Sequence, residues 1–235
     1  MKHIFKTMAF LLAIVLFAGC HDITTEGVTS ITYYPTFTLT DGPMLTLPLG
    51  QTFTDPGVNV MEGQNDITDK VKISGTVNTN EVGVYFLTYS AVNVDGFTGS
   101  TTRTVVVYNP NITTDISGSY TVAAGTQRLT LASGATTPYN GYPVSLTMMA
   151  PGVFSVSDFY GGYYDKRAGY GSSYAMTGYI SLNEDNSIDL IYSHVNGWGD
   201  GLDELDDASY DPNSGTIQWG AVYVGSYSFD VILSK

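Results

Sequence analysis

Cysteine and histidine are nearly missing from this 235-residue chain. The single cysteine, Cys20, rules out a disulfide within it. Of the three histidines, His3 and His21 stand near the start, leaving His194 alone deep in the sequence. That is too little nitrogen and sulfur for a zinc centre. A Ser-His-Asp triad would have to use His194, and no Gly-x-Ser-x-Gly turn presents a serine to it. Basic residues are scarce as well, nine Lys and Arg against 22 Asp and Glu, for a net charge of −13. A chain this acidic repels phosphate backbones and anionic lipid surfaces, which excludes nucleic acid as a partner. No stretch beyond the N-terminal segment keeps an apolar 3.6-residue period for three turns, so long amphipathic helices are not expected. No catalytic residue, metal site or cofactor site is assigned.

What is present begins with a basic start, Met1-Lys2-His3-Ile4-Phe5-Lys6-Thr7, and an apolar run from Met8 to Ala18. A spanning helix needs ~20 apolar residues, so residues 1–19 read as a removable signal peptide. Leu16-Phe17-Ala18-Gly19-Cys20 resembles a bacterial lipoprotein box, with Phe17 where the family usually has an aliphatic residue. The resemblance implies that Cys20 is acylated and becomes the new N-terminus, so that the lipid is the membrane contact. Residues 20–30 are polar and patternless, as a lipidated tether should be.

The rest of the chain is short alternating runs rich in Tyr, Thr, Val and Gly, broken by Gly, Asn, Asp and Pro, which predicts an all-β protein. Residues 31–109 form the first domain. Its markers are Phe53-Thr-Asp-Pro-Gly-Val58, Asp66-Ile-Thr-Asp-Lys-Val71, the alternating strand Gly83–Asn93 and a last strand from Thr101 to Tyr108. In the strand from Gly83, Tyr85, Leu87, Tyr89 and Ala91 share one face, while Val84 and Phe86 leave the other only partly polar. Asp95-Gly96 predicts a tight hairpin with both central residues at positive φ. Asp55, Asp66, Asp69 and Asp95 are read as turn formers satisfying nearby backbone in preference to calcium ligands. Together the markers resemble the bacterial immunoglobulin-like domain of crystal toxins and cell-surface proteins, which implies a β-sandwich used as a spacer or adhesive unit.

A polar linker with a proline, residues 110–115, separates this domain from residues 116–235. So little apolar area stands at that boundary that the two domains are expected to unfold separately. Eight strand candidates follow, between Ser119 and Leu233, joined by short turns such as Ala150-Pro151-Gly152 and Asn183-Glu184-Asp185-Asn186. Short turns enforce antiparallel neighbours. The pattern predicts a small antiparallel meander β-barrel of lipocalin-like form.

Two loops exceed what hairpins need. Residues 158–180 hold six tyrosines and five glycines, and residues 196–207 run Asn-Gly-Trp-Gly-Asp-Gly-Leu-Asp-Glu-Leu-Asp-Asp. Asn196, Asp200, Glu204 and Asp207 imitate part of a calcium loop, but Trp198 stands where a ligand belongs, and a solvated acidic loop is the preferred reading. Carboxylates at Asp158, Asp165, Asp200, Asp203 and Glu204 could pair as a glycosidase needs, yet an acidic surface brings such residues together by chance. The aromatic residues admit two readings. Tyr160, Tyr163, Tyr164, Tyr170 and Trp198, with Asp200 accepting hydroxyl hydrogens, could form a platform on which sugar rings stack. The same rings could instead plug the barrel mouth.

The elements Gly161-Gly-Tyr-Tyr164, Gly169-Tyr-Gly171, Gly197-Trp-Gly-Asp200 and Tyr210-Asp-Pro212 resemble the C-terminal domain of outer-membrane lipoproteins of gut Bacteroidetes. Those proteins place an immunoglobulin-like domain first, and many are encoded beside starch-utilisation-like glycan uptake systems. The resemblance implies a lipid-anchored protein of the outer membrane, at the cell surface, with neighbouring uptake proteins as partners. Two functions are therefore expected: a non-enzymatic lipoprotein binding a polysaccharide or oligosaccharide, or an adhesion protein whose partner is a protein.

Overall fold

A computed structural model describes residues 31–235; the signal segment, Cys20 and the tether lie outside the described residues. Alternation of apolar and polar side chains sets the N-terminal domain. It comprises β1 (Pro35–Leu39), β2 (Met44–Pro48), β3 (Val58–Glu62), β4 (Asn65–Asp66), β5 (Lys72–Ser74), β6 (Gly83–Val92) and β7 (Thr98–Tyr108). Two sheets form, β1-β3-β4 and β2-β7-β6-β5. β2 runs parallel to β7, and β6 pairs antiparallel with it along its whole length. Pro35 opens β1, which pairs only with β3, so its missing N–H costs no ladder bond. Between the sheets Val60, Leu87, Tyr89, Ala91 and Val105 are buried, which matches the inward face expected for the strand from Gly83.

Two features of this domain were not legible. The β6–β7 hairpin is not a two-residue turn with paired positive φ: Gly96 is at φ 87°, whereas Asp95 is not left-handed. Asn93 instead accepts the Gly96 N–H on its carbonyl and the Phe97 N–H on its side chain, a longer turn closed by a left-handed glycine. The second feature is a buried polar network. Arg103 is wholly buried and pairs with Asp55 at 2.7 Å. Its other nitrogen donates to the carbonyls of Thr40 and Gly57, while the Asp55 carboxylate also accepts from the Tyr89 hydroxyl at 2.8 Å. Burial first, then this carboxylate, pushes the Tyr89 phenol up to about 12. Asp55 therefore holds the core, and Asp66 caps a turn by accepting the Thr68 N–H.

The C-terminal domain is β8 (Gly118–Val122), β9 (Gln127–Thr130), β10 (Ala135–Pro138), β11 (Pro143–Ala150), β12 (Val153–Val156), β13 (Thr177–Leu182), β14 (Ile188–His194), β15 (Glu204–Asp211), β16 (Thr216–Tyr223) and β17 (Tyr227–Ser234). These make one antiparallel sheet in the order β15-β16-β17-β8-β11-β12-β13-β14, with the β9–β10 hairpin added along β17. The sheet curls until β14 and β15 approach. A bridge at Ser187 and Ser209 and a 2.9 Å bond from the Tyr210 N–H to the Asn186 carbonyl join them. Inward-facing Phe154, Ile180, Ile217, Trp219, Phe229 and Leu233 fill the space enclosed, so the interior is a packed core and not an open calyx.

The end of the expected loop 196–207 belongs to strand β15, Glu204–Asp211. Glu204 and Asp206 pair with β16, and a bulge between Asp206 and Ser209 shifts the register. Glu204 and Asp207 thus belong to β15, and the loop imitating a calcium site ends before it.

From Tyr34 to Lys235 the chain is one compact unit. Val84 and Val106 of the first domain pack with Ala150 and Val153 of the second, flanked by Tyr108, Met149, Tyr179 and Ile191. Phe86 meets the rings of Tyr179 and Tyr192 at 6.3 Å. The apolar residues on the outer face of β6 thus have a partner, which corrects the expectation that little apolar area couples the domains.

Candidate functional site

The tyrosine-rich loop leaves β12 and returns to β13 across one end of the curled sheet. Asp158 organises it. Its carboxylate is buried and accepts three backbone N–H groups, from Tyr160 at 2.9 Å, Gly162 at 2.8 Å and Met176 at 3.0 Å. Burial pushes its pKa up to about 7, against the pull of those donors. Two more buried groups fasten the same backbone: the Trp219 indole donates to the Phe159 carbonyl and the Tyr139 hydroxyl to that of Tyr160. Gly162, at φ 81°, could not be replaced cheaply, because a Cβ there would stand 2.6 Å from that of Tyr142. Three buried side chains thus fasten the start of the loop and its return at Met176.

Pinned this way, the aromatic residues divide. Tyr160 is fully buried and Tyr163 nearly so. Their rings meet Phe229 at 4.5 and 5.4 Å, inside the barrel mouth, which is the plug and corrects their assignment to an exposed platform. The Tyr160 hydroxyl is sealed in without a well-formed hydrogen bond. Tyr164 is half-buried and is the hub of the cluster, touching Tyr160, Tyr163 and Phe229 below and Tyr170 and Trp198 above. Tyr170 and Trp198 are outside, 56% and 41% exposed.

Trp198 is fixed on three sides. It stacks on Tyr223 at 5.7 Å and 26°, and meets Tyr164 at 4.8 Å and Tyr174 at 5.0 Å edge-on. Gly197 permits the last contact, since a Cβ there would lie 2.5 Å from the Tyr174 ring. Asp200 accepts the Tyr223 hydroxyl at 3.0 Å, and burial, with that carboxylate next, pushes the Tyr223 phenol up to about 12. Asp200 therefore braces the ring beneath Trp198 while staying exposed itself. Tyr170, Tyr174, Trp198 and the upper part of Tyr164 make one aromatic face on a rigid base.

Sequence reasoning missed Tyr174 and Tyr223, and also Arg128, which lies 5.0 Å from the Tyr163 ring and 4.8 Å from that of Tyr227. Tyr174 stood within the tyrosine-rich interval; Arg128 and Tyr223 gave no local signal, since strand pairing brings them here. Among the described residues no group of three or more His, Cys, Asp or Glu is placed to hold a metal ion.

Comparison with known proteins places the chain. A family model described as "Bacterial surface protein, Ig-like domain" matches residues 37–107, and one described as a C-terminal domain matches residues 109–235. Among solved structures, a Bacteroides thetaiotaomicron lipoprotein, BT2262, is 41% identical over 86% of this chain and 100% of its own, with a TM-score of 0.49. A Clostridium perfringens ZmpB structure, of CBM51-2 with GlcNAc and INT domains, is 17% identical over 52% of this chain and 29% of its own, with a TM-score of 0.28. A Bacteroides ovatus protein of unknown function is 11% identical over 85% of this chain and 93% of its own, at a TM-score of 0.27. No curated protein matches. The C-terminal domain match over more than half the chain, together with the identity to BT2262, shows that this protein belongs to the BT2262 lipoprotein family, with an N-terminal bacterial surface Ig-like domain.

Proposed function

We propose that the protein is a non-enzymatic lipoprotein, anchored in the outer membrane through Cys20, that binds a glycan on the face made by Tyr164, Tyr170, Tyr174 and Trp198. The observation that supports this most is the exposure of Trp198 and Tyr170 on top of a packed aromatic base. Rings left in water ordinarily gain by folding inward. These are held out by Tyr223, Tyr174 and Gly197, so the ordering of a binding surface is already complete in the free protein. The apolar C–H face of a pyranose stacks on such rings, and Asp200, exposed beside them, accepts hydroxyl hydrogens. The immunoglobulin-like domain lifts this face from the membrane.

Asp158, the carboxylate with the most perturbed pKa, lies beneath the loop with its oxygens committed to backbone N–H groups, which suits a brace and not an acid catalyst. A glycan array of dietary and host polysaccharides tests the reading. Retention on a polysaccharide, lost in Trp198→Ala, is expected. Retention on none, together with stoichiometric capture of one defined surface protein, would favour adhesion. Metabolic labelling with a fatty-acid analogue tests the anchor, and label retained by Cys20→Ala would refute it.

A further inference from the structure

Only a handful of cations exist in this acidic chain, and the C-terminal domain brings three of its four to one place. Arg128, on β9, lies opposite Phe229 of β17 and so shares its face of the sheet, toward the barrel mouth. Its guanidinium stacks on Tyr163 and Tyr227. Arg167 comes from the tyrosine-rich loop and packs on the same Tyr163 ring at 5.1 Å. Lys166 beside it is paired with Asp165 at 2.9 Å. Neither arginine has an ion pair among the described residues, although carboxylates outnumber cations more than two to one. The Arg128 Nε is moreover buried with no acceptor, an arrangement that costs stability.

A stacked guanidinium uses its faces on the rings, so with the Arg128 Nε closed off the terminal nitrogens are what remains to meet the paired oxygens of an anion. Arg128 also lies close enough to the Tyr164 hydroxyl to favour its ionised form, although burial wins and raises that phenol overall. Tyr164 is in turn the ring on which Trp198 and Tyr170 rest. The cationic edge and the aromatic face are therefore neighbours across a single side chain.

We infer that the aromatic face takes a saccharide carrying an anionic group, a carboxylate or a sulfate, with the sugar ring on Trp198 and Tyr170 and the anion at Arg128 and Arg167. This rests on the glycan reading and narrows it to acidic sugars. It also assigns the cations a purpose in a protein whose overall charge would otherwise repel such ligands, and it makes binding dependent on ionic strength.

The test is calorimetric titration of the full chain in detergent with tetragalacturonate, with its neutral methyl ester, and with a chondroitin sulfate tetrasaccharide. Preference of at least tenfold for one of the anionic probes over the ester is expected, shrinking as salt rises. Arg167→Ala, a change at an exposed side chain, should remove about tenfold of that preference and leave binding of the ester unchanged. Arg128→Gln should do the same, with a melting curve to show that the barrel persists; should it unfold, Arg167→Ala and Arg128→Lys carry the test. Acid and ester bound equally, with no response to either arginine, would overturn the inference and leave the glycan reading standing. Binding of none of the three, while the array shows retention of a neutral polysaccharide at Trp198, would overturn it too. No binding to any saccharide in either experiment would defeat the glycan reading itself.

Discussion

Tyr160 and Tyr170 belong to one loop, yet the first has no exposed surface and the second shows more than half of its own. The division follows from where buried polar groups grip the backbone. Asp158, Trp219 and Tyr139 hold residues 158–162 against the barrel, so the rings from that stretch must point in. Between Tyr164 and Met176 no buried side chain grips the backbone in this way, and the outer rings rest on Tyr164 and Tyr223 and on one another. A tyrosine tolerates either fate, because its ring is apolar and its tip is polar. Backbone anchoring, and not residue type, decides whether an aromatic here stabilises the fold or faces a ligand.

The sharpest way to break that comparison is to remove a ring from each side. Tyr160→Ala should cost about 3–5 kcal/mol of stability in chemical denaturation, as large aromatic truncations in cores do. Tyr160→Phe should be close to neutral, since the hydroxyl lost has no well-formed bond. A severe loss in the phenylalanine variant would mean that the hydroxyl matters and the ring is not merely a plug.

Asp55→Ala supplies a benchmark of similar size from the other domain. It leaves Arg103 buried without its counter-charge, and unpairing a buried ion typically costs about 3–5 kcal/mol. An unchanged melting temperature would show that the Thr40 and Gly57 carbonyls suffice.

The grip itself can be titrated. The folded-state pKa of Asp158, about 7, lies above its ordinary value of 3.8, so the fold favours the protonated acid. That contribution is complete at acid pH and is lost as pH rises through about 7. The C-terminal domain should therefore melt at lower temperature near pH 8 than near pH 5, by calorimetry, once other carboxylates are allowed for. Asp158→Asn keeps the oxygen that serves Tyr160 and Met176 and should flatten the trend. An identical slope in that variant would assign the dependence elsewhere.

A smaller effect is expected where the domains meet. Val84→Ala removes two methyl groups from the shared cluster, worth about 1.6 kcal/mol at 0.8 per buried group. Calorimetry of the full chain should show the two domains' transitions moving apart. Transitions already independent in the unchanged protein would show that the cluster does not couple them.

The fold was legible where alternation held. The outer residues Val84 and Phe86 left the outer face of β6 only partly polar, but that they pack at the domain junction was not read from the sequence. β15 was hidden for a physical reason: its bulge moves the inward positions from Leu205 to Ala208 and breaks the period of two, leaving Glu-Leu-Asp-Asp to read as loop. β10 was hidden because Ala-Thr-Thr-Pro has no apolar side to show. Composition pointed to the loop that carries the aromatic cluster but could not sort its rings. Arg128 was out of reach, since it arrives through the pairing of β9 with β17.

The central claim is that the outer rings bind and the inner rings stabilise. It is tested most directly by the double variant Tyr170→Ala with Trp198→Ala, titrated with the saccharide the array identifies and melted in parallel. At about 1 kcal/mol for each stacking ring, affinity should fall about 30-fold while stability falls by clearly less than the ~3–5 kcal/mol expected of Tyr160→Ala. Unchanged affinity, or a fall in stability like that of Tyr160→Ala, would contradict it.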